Sequence, residues 1–105
     1  MTAYDFIRLE PDRNNLRKAD LYDARLLEEI LVGTNYNKNL REQKEYKQAE
    51  GAFIDCTMSC DRDEAIGWMR YWMGKAIAYG LATKDKNWGY FFLAAYDLHE
   101  RLIKG

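Results

Sequence analysis

The chain has 105 residues, 48% hydrophobic and 31% charged with a single proline, a composition that excludes disorder and a length that suits one domain. Its 16 Lys and Arg against 17 Asp and Glu leave a net charge of −1. That balance argues against a nucleic-acid binder, which draws on a basic excess, and against an acidic mimic of nucleic acid.

No run reaches the roughly 18–20 apolar residues that span a bilayer, and MTAYDFIRLEPDR lacks the apolar core of a signal peptide. The expectation is a cytoplasmic protein without a membrane partner. Aromatics make up 14% of the chain, a surplus that bears on cores and interfaces because each ring buries a large area.

Residues 1–13 read as an N-terminal arm, a helical turn or irregular segment packed through Phe6, Ile7 and Leu9. Pro11 ends it, since proline biases its predecessor away from the helical region. A first helix is predicted over 15–32, capped by Asn14 or Asn15. Its buried stripe is Leu16, Ala19, Tyr22, Leu26, Leu27, Ile30 and Leu31, and Gly33 stops it.

After the loop at 34–39 a second helix spans about 40–58. Its polar start, LREQKEYKQAE, is expected to project into solvent or pack weakly, and its stripe is Tyr46, Ala49, Phe53, Ile54 and Thr57. Asp61 and Glu64 then have the spacing of a capping box at the head of a third helix over 62–82. Ala65, Ile66, Met69, Trp72, Met73, Ala76 and Ile77 form one face of it. Trp68, Tyr71, Ala78, Tyr79 and Ala82 spread over much of the rest. A surface helix needs only one apolar stripe, so this helix is either central or shared with a partner.

A last helix over 88–103, capped by Asp85 or Asn87, lines Trp88, Phe91, Phe92, Ala95, His99, Leu102 and Ile103 on one face. Asp97 with Arg101 and Glu100 with Lys104 are acid-before-base pairs at helical spacing. Gly67, Gly74 and Gly89 sit inside helices beside large rings, as if to admit close helix contact. With no convincing strand, the expected fold is all-α, a compact four-helix bundle-like single domain, 1–105, with a short N-terminal arm.

The sequence names no chemistry. Cys56 and Cys60 stand one helical turn apart, where Cβ atoms lie about 5–6 Å apart, too far for the usual disulfide. Free thiols behaving as small hydrophobes are the expectation. With His99 the only histidine, a zinc set is hard to complete, and no metal or cofactor is predicted. Neither Asp97 nor Glu100 is spaced to orient His99 as a general base.

The arginine–histidine pair that small helical ribonucleases carry on one helix is missing, because Leu93, Ala94 and Ala95 stand where the arginine would fall. The glycines are isolated, so no phosphate-cradling loop exists, and the chain is not expected to be an enzyme.

The aromatic surplus carries the functional reading. Trp68, Tyr71, Tyr79, Tyr90 and Tyr96 cannot all face the core that holds Met69, Trp72, Phe91 and Phe92, and Trp and Tyr are the residues enriched at binding hot spots. The expectation is a non-catalytic protein-binding module of the inhibitor or adaptor type, such as phages and mobile elements encode. It would dock Trp68, Tyr71, Tyr79, Tyr90 and Arg70 onto another protein or its own copy.

Two alternatives stand beside it. One is a small-molecule or nucleotide site walled by aromatics and closed by Arg70 or His99. The other is a weak nucleic-acid accessory using Arg8, Arg13, Arg17 and Lys18, or bases stacked on Tyr71 and Trp72 between Arg70 and Lys75.

Overall fold

The computed structural model of the chain describes residues 2–8, 40–83 and 88–105. Helix α1 is Ala3–Arg8, a 3-10 turn covers Leu40–Glu42, α2 is Lys44–Thr57, α3 is Arg62–Thr83 and α4 is Trp88–Lys104. No strand occurs among the described residues, and the fold is all-α and bundle-like. The helix expected over 15–32, the loop at 34–39, Leu9, and the caps Asp85 and Asn87 lie outside the described residues.

The N-terminal arm is a short helix. Thr2 and Asp5 cap it reciprocally, the Asp5 amide donating to Thr2 Oγ1 at 3.1 Å and the Thr2 amide to Asp5 Oδ2 at 3.2 Å. Six residues do not hold a helix in water by themselves. Tertiary contact supplies the rest: Phe6 is fully buried, stacked on Phe91 at 4.4 Å and tilted against Phe53 at 6.1 Å. Removing such a ring from water is worth about 1.5–3 kcal/mol.

The start of α2 does not project. Tyr46 and Ala49 are buried against the core, and Arg41 and Tyr46 both bond Asp97 of α4. The polar residues that suggested a free end, Lys44, Glu45, Lys47 and Gln48, are exposed on the other sides of a docked helix. Asp97 is thus taken by Arg41, and Arg101 reaches Glu50 at 3.1 Å. The local Asp97–Arg101 pair gives way to two links across helices, while Glu100 and Lys104 do meet, at 3.8 Å.

Asp61 caps α3, its Oδ1 accepting the Glu64 amide at 2.8 Å. Ala65, Met69, Trp72, Ala76 and Ile77 are buried as the periodicity predicts, and α3 packs most extensively on α4. Arg62, in the first turn of α3, donates to the carbonyls of Leu102 at 2.7 Å and Ile103 at 2.8 Å. It satisfies carbonyls that the end of α4 leaves without helical donors, so the two helices run antiparallel.

The most enclosed element is α4. Phe91, Phe92, Leu93, Ala94 and Ala95 are all buried. Five successive residues exceed one helical turn of about 3.6, so this half of α4 is covered on every side. The single-face expectation therefore fails here: Leu93, Ala94 and Leu98 join the core, and Ile103 is exposed.

Gly51, Gly67 and Gly74 do not mediate close packing. A Cβ at Gly51, Gly67 or Gly74 would meet no atom within 4 Å.

Candidate functional site

The apolar circumference of α3 resolves into two parts. Ala78 is buried and Tyr79 packs, partly buried, against the core, so these members of the outer set are enclosed by the chain itself. Trp68 and Tyr71 are not. They are 47% and 41% exposed, one helical turn apart, with rings 5.9 Å apart in an edge-to-face arrangement at 83°. Trp68 also leans on Trp72, 5.6 Å away, which stacks on Phe53 at 4.5 Å. The exposed pair is thereby backed by a rigid aromatic ladder running into the core.

The other candidates do not share this patch. Arg70 lies two residues from Trp68, about 200° around the helix. Its Nε donates to Nε2 of His99 on α4 at 3.1 Å. That bond leaves the His99 proton on Nδ1, whose nearest carboxylate is Glu100 at 3.8 Å. Partial burial and the Arg70 charge lower the His99 pKa, favouring the neutral ring. Tyr90, like Tyr79, is partly buried against the core. Tyr96 stacks on Phe92 at 6.4 Å.

Lys75, which with Arg70 was to flank stacked bases, lies in the interior. It is 1% exposed, not solvated. Its ammonium donates to the Ile7 carbonyl of α1 at 2.8 Å and sits 5.1 Å from the Phe6 ring and 5.9 Å from the Tyr71 ring. Burial lowers its pKa. The four-carbon stem suits an apolar wall as well as a solvated surface, so periodicity alone does not separate the two placements.

Cys56 is exposed, Cys60 is partly exposed, and both are free. Partial burial, then the Glu64 carboxylate, push the Cys60 thiol up, away from the thiolate that a nucleophile needs. Among the described residues no three His, Cys, Asp or Glu side chains are grouped to hold a metal, and His99 is engaged with Arg70.

Two open grooves are lined by described residues. One, of about 370 Å³, lies between α1 and α2 around Ala3, Gly51 and Asp55. The other, of about 430 Å³, lies beside the α2–α3 turn around Met58, Ala65 and Leu102. Neither is lined by Trp68, Tyr71, Arg70 or His99. Of the basic residues considered for nucleic acid, Arg8 is exposed, and Arg13, Arg17 and Lys18 lie outside the described residues. No described helix is long and apolar enough to cross a membrane.

No family model matches the chain, nor does any curated protein or any solved structure.

Proposed function

We propose that this chain is a non-catalytic protein-binding module that presents Trp68 and Tyr71 to a protein surface, with a second copy of itself as the first partner to test. One observation carries the reading: two large aromatics, adjacent on the outer face of α3 and each more than two-fifths exposed, rest on buried rings. Exposed aromatics clustered in this way mark contact sites more often than bare surface. Their backing fixes the rings before contact, which lowers the ordering cost of association. A two-fold dimer would set the same patch against itself. The role we propose for such a module is that of an inhibitor or adaptor acting in the cytoplasm.

The test is sedimentation across a concentration series. Association of the wild-type chain, abolished in Trp68→Ala/Tyr71→Ala with helical circular dichroism unchanged, supports it. Unfolding of the double variant would mean that the two rings belong to the core.

A further inference from the structure

Resting on the reading of Trp68 and Tyr71 as a contact face, we propose that the partner is a second copy of this chain whose α3 crosses this one antiparallel at Gly67, each copy's Asp63 pairing with the partner's Arg70. Asp63, Gly67 and Arg70 follow one another at intervals of four and three along α3, so they share one face of the helix. All three are exposed. Trp68 and Tyr71, exposed as well, flank that line on one side.

The charges on this face find no opposite charge within the chain. Asp63 makes no ion pair or side-chain hydrogen bond among the described residues. Arg70 meets no carboxylate among them, and its Nε donates to the His99 ring instead. That bond leaves the terminal amino groups of the guanidinium for another acceptor, and it holds the side chain in place before any contact. Asp63 and Arg70 stand two turns apart, about 10.5 Å along the axis, and do not reach each other.

A face with one acid and one base two turns apart complements its own antiparallel image. A two-fold axis passing beside Gly67 sets Asp63 opposite the partner's Arg70 and Arg70 opposite the partner's Asp63 at once. A parallel pairing would oppose like charges instead, so electrostatics selects both orientation and register. The residue at the crossing is a glycine with open space where a Cβ would stand. Glycine weakens a helix interior, a cost with no compensation inside the monomer. Against an antiparallel copy, the missing side chains let two backbones approach where the ridges of both helices would otherwise collide. The same axis keeps Trp68 and Tyr71 of both copies on one flank of the crossing, where they cover one another's exposed faces.

Two single variants, each checked for unchanged helical circular dichroism, test the register by sedimentation. In a homodimer Asp63→Arg opposes base to base, and Arg70→Asp opposes acid to acid. Each alone is expected to associate at least about tenfold more weakly than the wild type. Mixed in equal amounts they should associate again, as heterodimers, because both ion pairs are restored. Gly67→Gln keeps every charge and adds bulk at the crossing, and it should also weaken association at least about tenfold. If Arg70→Asp loses its fold along with the His99 bond, Gly67→Gln decides alone. A mixture no tighter than its components, or a Gly67→Gln variant that associates like the wild type, overturns the proposal. Should Trp68→Ala/Tyr71→Ala still abolish association in those cases, the contact face stands and only the crossing falls. A wild-type chain that stays monomeric throughout the concentration series also overturns the crossing.

Discussion

The hydroxyl of Tyr46 donates to Oδ2 of Asp97 across 2.7 Å, and the same carboxylate accepts two bonds from Arg41, at 2.9 and 3.2 Å. One acid of α4 therefore holds both the 3-10 turn and the first turn of α2. Tyr46→Phe keeps the ring packing and removes only the hydroxyl, so urea denaturation should give a loss of about 1 kcal/mol. Asp97→Ala removes the acceptor of the Arg41 fork and leaves the part-buried hydroxyl only its longer bond to Glu50, at 3.3 Å. Its loss should be larger, about 2–3 kcal/mol.

Two groups set opposite limits on stability with pH. Burial, then the hydrogen bond to Asp97, raise the Tyr46 pKa well above its ordinary 10.0. The unfolded chain ionises first, so this contribution is complete below pH 10 and falls as pH rises beyond it. His99 is the reverse case, its pKa lowered from 6.5 by partial burial and by Arg70. The unfolded chain then binds a proton more readily than the folded one. That contribution is complete above pH 6.5 and is lost as pH falls through the lowered value. Unfolding free energies of Tyr46→Phe above about pH 10, and of His99→Gln below about pH 6.5, should each be flatter with pH than the wild type's. Parallel curves in either window would refute that assignment.

Gly67 lies inside α3 with open space where a Cβ would stand. Gly67→Ala should raise stability by about 0.5–1 kcal/mol, through reduced freedom of the unfolded chain and better helix propensity. Thermal unfolding reads this directly, and a lowered Tm would contradict the geometry.

The indole N–H of Trp72 is buried with no hydrogen-bond partner among the described residues. Leaving such a donor unsatisfied costs about 1–3 kcal/mol. Trp72→Phe relieves that cost while keeping a ring against Phe53, and its net effect should stay within about 1 kcal/mol of zero. Trp72→Ala should lose about 3–5 kcal/mol to the cavity it leaves. A Phe variant as damaging as the Ala variant would show that the indole's shape, and not its area, is what Phe53 and Trp68 require.

Local rules placed much of the fold. Asp61 at the head of α3, the buried stripe from Ala65 to Ile77, and a surplus of rings around that helix follow from spacing and capping. Residues whose partners are distant in sequence were out of reach. Spacing alone pairs Asp97 with Arg101 one turn away, whereas topology gives it Arg41 and Tyr46. Lys75 reads as solvated until α1 is known to lie over it. Tyr79 looks as available as Trp68 on a helical wheel. It packs, partly buried, against the core, whereas Trp68 is 47% exposed. The Thr2–Asp5 cap, by contrast, is a local signal that the three-residue spacing carries.

The enclosure of residues 91–95 has an evolutionary corollary. Substitutions there disturb several neighbours at once, whereas Trp68 and Tyr71 rest on the fold without closing it. Drift can rewrite the outer face of α3 while the architecture underneath persists. On the proposed reading, descendants of this chain are therefore free to diverge in partner long before they diverge in shape.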